Sequence, residues 1–117
     1  MKYSRTAKGI KGEEAACRYF EKHGYKILER RFRSAFGEVD IIIRKKDVVV
    51  FAEVKAWDIL GMENLEYSVN SAKQNRIRNT ALFFLRHHSE LSGCRIRFDL
   101  VFLSWRTEKL VHWENAF

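Results

Sequence analysis

Val48-Val49-Val50-Phe51-Ala52 is an almost unbroken apolar run, and it narrows what this chain can fold into more than any other segment. Side chains on a strand alternate between faces. A strand-length run without alternation therefore belongs to a strand covered on both sides, in a sheet with one layer above it and another below. The run ends in charge, Glu53-Val54-Lys55. Charges that directly follow a doubly buried strand are costly unless they are paired, bound to metal or placed at the strand's open end.

The chain has no proline, so element boundaries rest on glycine and on periodicity. A helix is expected over residues 9–23, stopped by Gly24, and a strand over residues 25–32. Strands over residues 36–44 and 48–56 flank the polar turn Lys45-Lys46-Asp47 and read as an antiparallel hairpin. A loop over residues 56–66 contains Gly61. After it Val69, Ile77, Ala81, Phe84 and Leu85 recur at helical spacing through His88. A strand over residues 95–105 and a last arm over 109–113 give the order αβββαββ, an α/β layer domain.

At 117 residues the chain is one domain, residues 1–117, with residues 1–8 as a basic N-terminal arm that can be mobile. No apolar run approaches the roughly 20 residues of a membrane span, and no signal-peptide core follows the first basic residues, so a soluble cytoplasmic protein is expected. Two cysteines without a repeated spacing point to reduced thiols, although a Cys17–Cys94 bridge stays open. The net charge of +7 favours a polyanionic partner. Its sign alone does not choose between nucleic acid, an anionic membrane and an acidic protein.

The chemistry concentrates in Gly37-Glu38-Val39-Asp40 and Glu53-Val54-Lys55. Glu38, Asp40 and Ile42 should share one face of their strand, and Glu53 and Lys55 one face of the next. If the turn takes about four residues around Lys45 to Val48, Asp40 lies opposite Glu53, with Cβ atoms about 5 Å apart. Two carboxylates that close repel unless a cation lies between them. The plain alternative is a pair of solvent-face charges, since an ExK triplet arises by chance on the order of once per few hundred positions.

On the first helix Ile10, Cys17 and Phe20 form one stripe, with Glu13 near its middle and Glu14 at its edge. Glu13 should face the sheet and Glu14 solvent; the plain reading of Glu13 is a first-turn acid stabilised by the helix dipole. On the second helix Lys73 and Gln74 can reach toward the strands, or be a snorkelling lysine and a surface glutamine. Lys8, Lys11, Arg33 and Arg76 are candidate nucleic-acid contacts, and Arg78 adds to a basic, phosphate-facing surface. The four histidines lack metal-ligand spacing, and neither a phosphate-binding glycine loop nor a GxSxG elbow is present. Trp57, Trp105 and Trp113 suit packing better than base stacking.

Gly9-Ile10-Lys11-Gly12-Glu13, Gly24-Tyr25-Lys26-Ile27-Leu28, Gly37-Glu38-Val39-Asp40-Ile41, Phe51-Ala52-Glu53-Val54-Lys55, Ser68-Val69 with Lys73-Gln74, and Arg97-Phe98-Asp99 together resemble the bacterial YraN family of predicted endonucleases. That family is similar to the restriction-endonuclease-like PD-(D/E)XK nucleases and to archaeal Holliday-junction resolvases. The resemblance implies an αβββαβ core with a mixed central sheet flanked by helices, here with an extra C-terminal strand. It also implies Mg²⁺- or Mn²⁺-dependent hydrolysis of phosphodiesters in branched or structured DNA. Asp40, Glu53, the Val54 carbonyl and Glu13 would hold the metal, Lys55 would position the attacking water, and Lys73 and Gln74 would be auxiliary. A homodimer and a specificity-supplying protein partner are further implications. The sequence departs from the superfamily in lacking its proline, and from the family in having Ala56-Trp57 where a Thr-Arg pair often follows the lysine. The alternative function is a non-catalytic nucleic-acid-binding module on the same fold; a protein-interaction domain with structural ion pairs is a third.

Overall fold

The doubly buried run becomes the middle strand of a five-stranded sheet ordered β1-β2-β3-β4-β5. The computed structural model describes residues 7–56, 70–104, 107 and 109–117, with the backbone alone at 7–10 and 56. Its elements are α1 (Ala7–Lys22), β1 (Lys26–Ser34), β2 (Gly37–Lys45), β3 (Val48–Ala56), α2 (Ser71–Arg86), a 3₁₀ turn at Ser89–Leu91, β4 (Arg95–Leu103) and β5 (Leu110–Trp113). This is the expected αβββαββ order, and each strand lies within two residues of its expected ends. The expected loop over 56–66, Val69, Trp57, Trp105 and the side chain of Lys8 lie outside the described residues. Ala7 and Lys8 lie within α1, and the rest of the expected N-terminal arm, residues 1–6, lies outside the described residues.

Neighbouring strands are antiparallel except β3 and β4, which run parallel. A parallel pair needs a crossover, and α2 lies between them in sequence. The sheet is therefore mixed and covered by a helix on each face, consistent with a restriction-endonuclease-like core. Val49 and Phe51 pack with Ile77, Ala81 and Phe84 of α2, while Val50 and Ala52 pack with Ala16, Cys17 and Phe20 of α1. All four β3 side chains are essentially sealed from solvent. Truncating Phe51 to alanine would empty the α2 side at a cost of about 3–5 kcal/mol.

Both helices have local reasons for their ends. Gly24, at φ 89°, takes the left-handed conformation after α1, and the Tyr25 N–H closes back on the Phe20 carbonyl at 2.9 Å. Asn70 caps α2 by accepting a hydrogen bond from the Lys73 N–H at 2.9 Å. Among the described residues no helix is long and apolar enough to cross a membrane.

The β1–β2 ladder shifts register between Ile27 and Glu29, and, separately from that, side-chain alternation fails further along the same pair. Ile41 packs under α1, but Val39, two residues away, packs under α2, and across the ladder Arg30 pairs with Ile41 and Phe32 with Val39. Between those pairs lie Arg31, at φ 51°, and Asp40. A left-handed residue of this kind costs roughly 1–2 kcal/mol, and here it turns β1 so that Arg30 meets Cys17 of α1 while Phe32 meets Phe84 of α2.

Candidate active site

The β2–β3 register is the one expected. Lys45 pairs with Val48 across the two-residue turn Lys46-Asp47, and the ladder runs to Ile41 opposite Ala52. Asp40 lies one step further, level with Glu53. Asp40 does not simply point out from one face with Ile42, as alternation would require. Its Oδ2 accepts the Val54 N–H at 2.8 Å, so the carboxylate replaces a ladder partner where β2 leaves β3. That position puts it beside Glu53 and in the plane between the two helical layers.

Burial pushes the Asp40 carboxyl well above the usual aspartate range, and the negative charge of Glu53 pushes it further. The Val54 N–H and the Lys55 charge act in the opposite sense and do not reverse it, while Glu13 adds a smaller upward push. Glu53 is 6% exposed and is bound by two ammonium groups, Lys73 at 2.7 Å and Lys55 at 3.4 Å. These lysines diverge. Burial lowers the proton affinity of Lys55, and neighbouring Lys73 lowers it further against the pull of Glu53. Burial alone would lower Lys73 too, but the charge and hydrogen bond of Glu53 outweigh it and raise it.

Glu13 faces inward, 8% exposed, and its Oε1 lies 3.5 Å from Arg31 Nε. Glu14 is half-buried, more covered than the edge of a helical stripe suggested. Glu38 is not with the other acids; it pairs across the ladder with Arg33 at 3.3 Å. Gln74 is half-buried at the start of α2, its N–H on the Asn70 carbonyl. Lys11 and Arg76 are exposed. Arg78 is not a free basic side chain: its guanidinium lies over the rings of Phe98 and Phe117, at 5.0 and 5.6 Å.

Among the described residues no three His, Cys, Asp or Glu side chains stand close enough to hold an ion as they are. Asp40 and Glu53 nonetheless suit Mg²⁺, which is held by one or two carboxylates and keeps several waters. A carboxylate held back from ionising by a neighbouring carboxylate is the electrostatic mark of a place where a cation is favoured. Lys73 and Lys55 both lie on Glu53 Oε2.

A second constellation surrounds Asp99, whose segment the sequence marked without a role. Its carboxylate is fully buried and takes bonds from Arg97 Nε and Nη2 at 2.9 Å each, from His112 Nε2 at 2.7 Å and from the Asn115 N–H at 2.9 Å. Tyr25 receives Arg97 Nη2 at 2.8 Å, and the Tyr19 hydroxyl lies 3.0 Å from His112 Nδ1. Nothing in sequence spacing brings Tyr19, Tyr25, Arg97 and His112 together. Cys17 and Cys94 are free and pack in the clusters on opposite faces of the sheet, so the bridge left open does not form. Trp113 packs edge-on against Phe102 at 4.9 Å, a packing role as expected.

The profile of the uncharacterised protein family UPF0102 matches residues 12–103, which include every acid and lysine of the site. A UPF0102 protein of Sulfurihydrogenibium sp. (strain YO3AOP1) is 40% identical over 97% of this chain and 96% of its own length. One of Persephonella marina is 38% identical over 94% and 92%, and one of Geobacter metallireducens 37% identical over 100% and 97%. The chain belongs to the UPF0102 family, the YraN family that its motifs resemble.

Proposed function

We propose that this protein is a metal-dependent DNA endonuclease that hydrolyses phosphodiester bonds, with branched or structured DNA as its substrate class. The observation that carries the reading is the juxtaposition of Asp40 with Glu53 at the end of the β2–β3 ladder, where burial and mutual repulsion call for a cation. Asp40, Glu53 and the Val54 carbonyl would hold Mg²⁺ or Mn²⁺, with Glu13 completing the acidic cluster. The ion would supply Lewis-acid stabilisation of the phosphoryl oxygens and a more acidic water. Lys55, the lysine with lowered proton affinity, orients the attacking water and offsets charge building on the phosphate. Lys73 holds Glu53 in place, and Gln74 flanks it. Lys11, Arg33 and Arg76 are exposed cations suited to phosphate contacts, and the net charge of +7 supports a polyanionic substrate.

One observation favours a second reading. Lys55 and Lys73 already neutralise Glu53, which suits a non-catalytic nucleic-acid-binding module on the same fold. The two readings separate when purified protein is incubated with four-way junctions, flaps, duplex and single strands in Mg²⁺, Mn²⁺ or chelator. Metal-dependent cleavage is expected, with Asp40→Asn and Glu53→Gln each lowering it by about 10³-fold or more while DNA affinity is kept. Tight binding with no cleavage of any of these substrates would favour the binding module.

A further inference from the structure

The left-handed residue of β1, where alternation fails, is an arginine, and the backbone does not ask for one. The turn in β1 that sends Arg30 toward α1 and Phe32 toward α2 needs φ near 51° at residue 31, a conformation glycine adopts freely and asparagine readily. Arginine is a poor choice for it.

Arg31 stands across the ladder from Asp40, between the pairs Arg30–Ile41 and Phe32–Val39. Its Nε lies 3.5 Å from the Glu13 carboxylate, longer than a charge-assisted hydrogen bond of about 2.7–2.9 Å. The side chain is 45% exposed while that of Glu13 is 11% exposed, so the guanidinium forms the solvent side of the pair. Among the described residues β1 is an outer strand of the sheet. Of the three arginines along this stretch, Arg30 donates to Cys17 Sγ, Arg33 pairs with Glu38, and Arg31 forms an ion pair with Glu13.

We infer that Arg31 has two alternating partners: it neutralises Glu13 in the metal-free protein, and it binds the substrate phosphate once a divalent cation takes over Glu13. This rests on the nuclease reading above and adds to it the residue that ties metal loading to phosphate binding. A planar guanidinium suits the second task because it can meet a phosphate with two parallel N–H donors. The first task makes it a competitor of the metal. Removing Arg31 should thus affect metal and DNA in opposite directions.

Arg31→Gly is the variant to use, because glycine accepts the left-handed backbone and the fold is kept, with circular dichroism and thermal melting as the check. Isothermal titration with Mn²⁺ should show binding about threefold or more tighter than in the unaltered protein. DNA binding in Ca²⁺ should weaken, and kcat/KM for cleavage in Mg²⁺ should fall about tenfold or more, chiefly through KM. Arg31→Lys, which keeps the charge but not the fork, should keep metal affinity near that of the unaltered protein and recover only part of the DNA affinity. Unchanged values in Arg31→Gly, or a parallel loss of metal and DNA affinity as expected of a merely structural residue, would overturn the inference while leaving the nuclease reading intact. If the unaltered protein neither binds Mn²⁺ nor cleaves, that reading fails first and the inference fails with it.

Discussion

Asp40 and Asp99 flank the same level of β3 and have opposite electrostatic fates. Asp99 pairs in register with Ala52 from the β4 side, and Asp40 adjoins Ile41, the partner of Ala52 from the β2 side. Asp99 is surrounded by Arg97, His112 and a backbone N–H. Burial would raise its carboxyl, but these donors more than offset that and hold it below the usual value. Asp40 has the Val54 N–H and faces another carboxylate, so burial wins and its carboxyl rises. The same residue type is thus a finished structural anchor on one side of β3, where it is sealed, and an electrostatically incomplete group on the other, where it is half-buried. Burial alone does not mark a functional acid; burial without enough donors does.

Breaking the finished side should have the largest effect on stability. Asp99→Asn takes from the largely buried Arg97 its buried carboxylate, leaving the exposed Glu114 at 3.7 Å, and should cost about 3–5 kcal/mol, read as a lower midpoint in urea denaturation. In the unaltered protein the Asp99 contribution carries a pH sign. Its folded value lies below the ordinary 3.8, so the contribution is present above that pH and is lost as pH falls through the depressed folded value. Asp99→Asn should remove that acid-side dependence.

Completing the unfinished side should have a smaller effect of opposite sign. Mn²⁺ at about 100 times its dissociation constant should stabilise the protein by about 2.7 kcal/mol, seen as a rise in melting temperature. Chelator should abolish the rise, and Asp40→Asn and Glu53→Gln should not show it. An equal rise in either variant would place the ion elsewhere.

The smallest effect sharpens the contrast most. Because the folded value of Asp40 lies above 3.8, its contribution is greatest below that pH and is lost as pH rises toward the raised folded value. Asn in its place still accepts the Val54 N–H but cannot ionise. Asp40→Asn should therefore stabilise the metal-free protein at neutral pH, by less than Asp99→Asn destabilises it. A loss of stability at neutral pH would contradict the direction assigned to Asp40, and the same denaturation curves at pH 3 should show the gain vanish.

Most of the architecture was legible because short-range rules govern it. The β2–β3 register followed from a two-residue turn between two apolar strands, and Glu13 faced the sheet because it shares a helical stripe with Cys17 and Phe20. Alternation misled where the pleat is interrupted: Asp40 bonds within the ladder, Val39 changes face and Glu38 turns to Arg33. Arg78 looked like a surface charge because its aromatic partners, Phe98 and Phe117, are remote in sequence. The short ion pairs on Glu53 were equally hidden, since they depend on how α2 is docked.

By itself the sequence determined that a doubly buried strand would carry Glu53 and Lys55 at its end, that a hairpin would bring Asp40 level with them, and that helices would cover both faces. Periodicity and turn length decide these things locally. Only the tertiary structure decided which charges neutralise which: Lys73 on Glu53, Arg31 on Glu13, and Arg97 with His112 on Asp99. The reason is physical. Coulomb energies and desolvation vary with distances of a few ångströms between segments far apart in sequence, and no local pattern encodes those distances.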